Sequence, residues 1–367
     1  MQVFSTLLPV LGFSTQLAAA AYTLQDDYGN GFFDKFTFFT DPDPTNGFVN
    51  YVDRDTAQNA GLINTDEGIH MGVDSTNVAA DGRQSVRITS TQSYDKGLFI
   101  LDLDHMPGGI CGTWPAFWLV GPDWPNNGEI DIIEGVNDQT NNHMALHTSD
   151  GCSIDNSGFS GTLTTSNCFV EAPDQDTNAG CGLEAPSDQS FGTGFNNNGG
   201  GVYATEWTGD AISIWYFSHD NVPADIGSGN PDPSSWGTPD GRFAGQCDIN
   251  AHFKGLQIVF DTTFCGDWAG NTWGTSSCSS QANSCQDFVA NNPSAFTDAF
   301  WTINSLKVYQ SGDAVVNNVL PTPPQSSFPV PSDTPAPSGF PPAPSFMKRN
   351  RRGHTHGHGH GHGHAHA

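Results

Sequence analysis

Apolar residues in this chain come in short runs, and none of the runs sustains a helical period. Phe32 to Phe39, Ser85 to Thr89, Leu98 to Leu103, Ala116 to Val120, Val202 to Trp207, Ile212 to Phe217, Leu256 to Phe260 and Phe300 to Tyr309 alternate with stretches rich in Gly, Asn, Asp and Pro. Runs of that length, rich in aromatic and β-branched residues and bounded by turn formers, read as strands. With 42 Gly and 24 Pro in 367 residues and no fixed-period repeat, the expectation is an all-β, loop-rich sandwich. Ten of the prolines fall between Pro321 and Phe346, where no apolar period exists, so a linker is expected over 316–347 and the folded domain over 21–315.

One strand carries chemistry. Gly128-Glu129-Ile130-Asp131-Ile132-Ile133-Glu134-Gly135 places three carboxylates in an otherwise apolar, β-branched segment. Side chains alternate along a strand, so Glu129 and Asp131 share a face, and Glu134 has the wrong parity to join them. A β-bulge around Ile132 and Ile133 would accommodate one extra residue and bring Glu134 back to the same face. Neighbouring carboxyl groups cannot all ionise easily, which yields an acid beside a nucleophile. Retaining glycoside hydrolysis needs such a pair, roughly 5 to 5.5 Å apart. A solvated strand face and a calcium site are the plainer readings of the same three acids.

The preceding segment, Gly112-Thr-Trp114-Pro-Ala-Phe-Trp118-Leu-Val-Gly-Pro-Asp-Trp124-Pro125, weighs toward sugar chemistry. Flat indoles bury a large area while keeping one N–H donor, which suits the apolar faces and polar rims of sugar rings. Each of Trp114, Trp118 and Trp124 can equally be an ordinary core residue. His147 falls 13 residues after Glu134, the distance expected for a neighbouring antiparallel strand His143 to Thr148 beyond the turn at 137–142. There it is expected to hydrogen-bond the second glutamate or a sugar hydroxyl, with a structural histidine as the alternative. Trp268 and Trp273 are expected to cover the cleft; Trp207, Trp215 and Trp301 are expected in the core.

Glu129-Ile-Asp131-Ile-Ile-Glu134, Trp114-Pro-Ala-Phe-Trp118, His147-Thr-Ser-Asp-Gly-Cys152, Asp261-Thr-Thr-Phe-Cys-Gly-Asp-Trp268 and Ala299-Phe-Trp301 to Tyr309 together resemble the fungal laminarinase-type members of glycoside hydrolase family 16, from about Tyr22 to Gln310. The resemblance implies a β-jelly-roll of two antiparallel sheets with a concave cleft and endo cleavage of β-1,3 or mixed β-1,3/1,4 glucans with retained configuration. It implies Glu129 as nucleophile, Glu134 as acid/base and Asp131 as their assistant. The extra residue matches the bulged branch of the family and argues against a strict lichenase or a xyloglucan enzyme. Trp114, Trp118, Trp124, His147 and Trp268 are the expected substrate contacts. A transglycosylase with the same acids and a non-catalytic glucan lectin are the alternatives.

Composition bounds the partners. A net charge of −27, with four of only 12 Lys and Arg clustered at Lys348 to Arg352, disfavours nucleic acid and anionic membranes, whereas a neutral glucan needs no counter-charge. Leu7 to Phe13, followed by Leu17-Ala-Ala-Ala-Ala21, reads as a leader over 1–20, although no Lys or Arg precedes its apolar core. A secreted, extracellular or cell-wall monomer is therefore expected. Eight cysteines favour disulfides in such a setting; Cys278 with Cys285 and Cys168 with Cys181 are the short-range pairings, and Cys111 is a candidate buried thiol. No cofactor is expected to be required, and a structural Ca²⁺ is left open. The tail, 348–367, ends in seven His alternating mainly with Gly, which suits adventitious transition-metal binding, and no hydrophobic stretch suggests a lipid anchor.

Overall fold

The computed structural model describes residues 22–66 and 68–312. The expected leader, linker and His-rich tail lie outside the described residues. Two eight-stranded antiparallel sheets dominate what is described. The first, which carries the acids, is built from β1 (Phe36–Phe38), β2 (Arg87–Tyr94), β3 (Thr113–Val120), β4 (Glu129–Glu134), β5 (His143–His147), β6 (Thr162–Thr165), β7 (Cys181–Glu184) and β8 (Leu256–Phe264). Across the sheet they run β6-β7-β5-β4-β3-β8-β2-β1. β4, which holds the acids, is thus flanked by β3 and β5. The second sheet is centred on Gly97–His105 and Phe300–Ser311, with Gly201–Trp207 and Ile212–Ser218 to one side. Tyr22–Asp27 pairs with Phe300–Ser311, and Tyr22 lies opposite Ser311.

Period-two alternation decides what lies between the sheets. In β3, Phe117 and Leu119 are buried in the core, whereas Trp114, Ala116, Trp118 and Val120 all line the opposite surface. Ile130, Ile132 and Ile133 of β4 join Met144, Leu146, Ile258 and Phe260 of the same sheet. They face Leu101, Leu103, Tyr203, Ile214 and Ile303 from the other sheet. Each fully buried aliphatic or aromatic side chain contributes on the order of 1.5–3 kcal/mol, so this layer outweighs any single polar contact in holding the sheets together. Trp207 and Trp301 sit in it, as expected. Trp215 is also buried, but on the outer face of the second sheet, edge-on to Trp236 at 5.4 Å.

A separate cluster stabilises the segment after β8. Phe264, Trp273, Phe288, Val289 and Phe296 pack there with Cys265, Cys278 and Cys285. Arg83, fully buried, ties this lobe to the sandwich: its Nε donates to the carbonyl of Val289 at 3.1 Å and its Nη1 to that of Asp74 at 2.6 Å. Trp273 is therefore a core residue of the lobe and does not cover the cleft.

Three expectations need correction. Phe32 to Phe39 is not one strand: Phe32–Lys35 forms a 3₁₀ turn after Gly31, whose φ is +63°, and only Phe36–Phe38 is extended. Consecutive Phe32 and Phe33 are both buried, which a turn permits and an alternating strand does not. Ser85 to Thr89 is split between Arg83–Ser85 and β2. The cysteines pair as Cys111–Cys278, Cys152–Cys247, Cys168–Cys181 and Cys265–Cys285. Cys168–Cys181 is as expected, whereas Cys278 and Cys285 each take a different partner and Cys111 is no free thiol. Three of the four bonds join residues 20 to 167 positions apart, a separation that spacing alone does not reveal.

Candidate active site

The strand β4 is bulged where its parity requires. Against β3, Glu129 pairs with Val120, Asp131 with Trp118 and Glu134 with Ala116, and the register shifts between Asp131 and Ile133. Those partners are alternate residues of one regular strand, so the three acids share a face. Ile132 is the extra residue, and Ile132 and Ile133 both point into the core. Such a bulge leaves ladder hydrogen bonds unmade. Asn142, fully buried, supplies them: its Nδ2 donates to the carbonyl of Ile132 at 2.7 Å and its Oδ1 accepts from the amide of Glu134 at 3.0 Å. One side chain thus substitutes for the missing backbone partner on both sides of the irregularity.

The acids floor a cleft of about 830 Å³. Trp114, Trp118, Trp124, His147 and Trp268 all line it, so the structure brings together every residue expected to contact substrate. Trp114 donates its Nε1 hydrogen to Glu134 Oε1 at 2.8 Å and meets Trp268 edge-on at 5.6 Å. Trp118 donates to Asp261 Oδ2 at 3.0 Å. Trp124 is 44% exposed at the rim. His147 lies opposite Glu129 on β5, but its acid partner is Asp131, with Nε2 3.3 Å from Oδ2, rather than the expected Glu134. The antiparallel register explains this, because it sets His147 across from Glu129 and leaves His143 across from Glu134.

Desolvation controls the charge of this row. Burial pushes the Glu129 carboxyl up to about 8, with the nearby Asp131 adding to the rise and His147 opposing it. Asp131, only 2% exposed, is likewise raised, chiefly by burial. Glu134 is held well above the ordinary carboxylate range by burial and then by Asp131, against the hydrogen bond from Trp114. The row therefore keeps at least one proton through neutral pH, and the arrangement can both donate a proton and present a carboxylate. Glu129, Asp131 and His147 also place donor atoms within 4.8 Å of one another, close enough to converge on a small cation.

Residues 36–309 match the family described as XgeA-like, catalytic GH16 domain. The chain belongs to glycoside hydrolase family 16. It is 48% identical over 317 residues to an endo-1,3(4)-β-glucanase of Arthroderma benhamiae, covering 84% of this chain and 69% of that protein. It spans about half the length of most other curated relatives that it matches. Among solved structures, an elongating family 16 β-1,3-glucosyltransferase superposes with a TM-score of 0.73 at 47% identity, covering 79% of this chain and all of that one. Laminarinase 16A of Phanerochaete chrysosporium, with 6-O-glucosyl-laminaritriose in donor and acceptor sites, superposes at 0.74 with 43% identity and the same coverage. The two-sheet sandwich described above is the family's β-jelly-roll, and this member is a glycoside hydrolase.

Several residues that shape this family 16 cleft escaped the sequence reading. Asp261, buried beside Trp118, is pushed up to about 6 by burial, with Arg87 opposing. The Arg87 guanidinium lies between the rings of Phe39 and Trp118, at 4.7 and 5.0 Å. Such a cation over an indole fixes the ring's tilt as well as its position. His143, facing Trp268 edge-on at 5.5 Å, is lowered to about 4 by burial and by His147, so it stays neutral. Asn178 Oδ1 accepts from His147 Nδ1 at 3.1 Å. Of these, Asp261 was within reach, since it stands in a quoted motif at a cleft-facing parity; Arg87, Asn142 and Asn178 come from segments with no local signal.

Proposed function

We propose that this enzyme is a secreted, retaining endo-β-glucanase that hydrolyses β-1,3 and mixed β-1,3/1,4 glucans as a monomer, without cofactor. The observation that carries this reading is the bulged β4, with two glutamates and Asp131 on one face beneath indoles. Glu129, in its ionised form, attacks the anomeric carbon while Glu134, held well above the ordinary carboxylate range by burial and by Asp131, gives its proton to the departing oxygen. Water then enters, Glu134 takes its proton as base, and the glycosyl-enzyme bond breaks. Asp131 lies between the two and keeps their charges from rising together. Trp118 and Trp124 stack on sugar rings, while Trp114 orients Glu134. The names of the Arthroderma benhamiae and Phanerochaete chrysosporium proteins support glucan as the substrate.

A second reading rests on the glucosyltransferase at 47% identity. With the same acids, an acceptor sugar would replace water in resolving the intermediate. Time-resolved product profiling on laminarin, lichenan and linear β-1,3-glucan separates the two. Hydrolysis gives oligosaccharides shorter than the substrate, with the β-anomer appearing first by NMR. Products longer than an added oligosaccharide indicate transfer, and absence of new reducing ends together with absence of longer products would sink both. For secretion, the mature N-terminus is expected near Ala21 or Tyr22; a secreted protein that retains Met1 would count against the leader.

A further inference from the structure

His147 and Asp131 face each other with nothing between them. The Nδ1 of His147 is 3.1 Å from Asn178 Oδ1, an atom that can only accept, so Nδ1 carries a hydrogen and Nε2 is the ring atom turned toward the acids. On that side, 3.3 Å away, stands Asp131 Oδ2, a buried oxygen without a hydrogen-bond partner among the described residues. His147 is 8% exposed and Asp131 2%, so packing holds both donors in place on the cleft floor. Glu129 completes the set, with one donor atom from each of the three residues inside a 4.8 Å span.

We propose that Glu129, Asp131 and His147 form an inhibitory site for a borderline transition ion, Zn²⁺ being the type case. Tetrahedral zinc, with bonds of about 2.0–2.1 Å, holds adjacent donors about 3.3–3.4 Å apart, which is the His147 to Asp131 separation already present. Glu129 is partly exposed and rotatable, so it closes the third edge, and the open cleft leaves the fourth position to water. Asn178 acts as the outer partner that fixes the imidazole's tautomer, an arrangement typical of histidine ligands. A nitrogen donor among two carboxylates favours zinc over Ca²⁺, which takes oxygen ligands in larger number. Binding itself depends only on these side chains. Inhibition rests in addition on the proposed role of Glu129, because the ion would occupy the oxygen that must attack sugar.

The test uses the full chain with free Zn²⁺ set by a metal buffer, so that the His354–His366 tract does not deplete the ion. Expected are inhibition that glucan relieves competitively, no inhibition by equal Ca²⁺, and an anomalous zinc peak bounded by the three side chains in soaked crystals. His147→Gln should raise the inhibition constant by about tenfold or more, each variant being referred to its own uninhibited rate. Asn178→Asp, which keeps a residue type tolerant of the +60° φ found there, should lower it, a direction that general damage does not produce. A missing peak, equal inhibition by Ca²⁺, or unchanged zinc sensitivity in His147→Gln would overturn the proposal. An active Glu129→Gln enzyme would instead remove the catalytic assignment without touching the zinc peak seen with the unsubstituted chain.

Discussion

The floor of the cleft and its disulfide-braced wall are built on different terms. The floor is strand: Glu129, Asp131 and Glu134 are aimed by backbone alternation, one bulge and one asparagine. The wall that carries Trp268 is a lobe of short helical turns and one helix, Cys285–Asn291, held by Cys265–Cys285, by Cys111–Cys278 and by the small cluster around Phe288. One buried residue reaches from the end of the acid strand into the wall. Asn137, three positions after Glu134 and at φ +53°, donates to the carbonyl of Ala269 at 2.9 Å and to Thr272 Oγ1 at 3.1 Å. Its Oδ1 accepts from the amide of Gly112 at 2.9 Å. The contrast separates chemistry from grip: changes in the floor should act on kcat, and changes in the wall on KM and local stability.

The sharpest break between the two lies in the acids. Glu129→Gln and Glu134→Gln should each lower kcat by on the order of 10²–10⁴-fold or more without unfolding, read by reducing-end assays alongside circular dichroism. Ordinary turnover in either variant would dissolve the distinction. Next in size is the wall's covalent tie. Replacing Cys265 and Cys285 together by Ser opens a loop whose ends are 20 residues apart and should cost about 3 kcal/mol. Urea unfolding measures the cost, and KM should rise more than kcat falls. A pure kcat effect would show that the lobe shapes the floor after all.

Asn142→Ala tests the floor's own scaffold. It leaves the Glu134 amide and the Ile132 carbonyl unpaired, at about 1–3 kcal/mol for each buried group left unsatisfied. Unlike the disulfide variant, it should lower kcat at saturating glucan and alter the pH profile, because Glu134 loses its fixed aim. The smallest effect is one of sign. Glu129 has a folded-state pKa of about 8, above its unfolded value, so its contribution to stability is most favourable below the ordinary carboxylate range and is lost as pH rises toward 8. Glu129→Gln removes that loss and should raise Tm by a few degrees at pH 8 and hardly at all at pH 4, as seen by calorimetry. The gain corresponds to roughly 1–2 kcal/mol after allowing for solvent reaching the carboxyl.

The same division governs what could be read from the chain. The floor was legible because parity is local: the spacing of Glu129, Asp131 and Glu134 demanded a bulge, and Trp114 and Trp118 lie four apart, hence on one face. The partner of His147 was missed because the register between β4 and β5, which sets His147 across from Glu129, is fixed by pairing and not by the spacing of the chain. Asn142 was illegible because it matters only once the ladder is broken. In the wall, spacing misled: Cys278 and Cys285 are near in sequence but belong to different bonds. Trp268 and Trp273, five residues apart in successive helical turns, have opposite fates, one lining the cleft and one packed in the lobe. Only long-range closure decides between them.

The strand Tyr22–Asp27 runs beside Phe300–Ser311, in the sheet across the core from the acids. The first and last described strands are therefore seam partners. A few residues would suffice to stitch them and make a permuted chain, whose new ends could be opened in a loop remote from the groove. Fusing a reporter or a surface tether at that seam should likewise leave the sugar-binding side unobstructed.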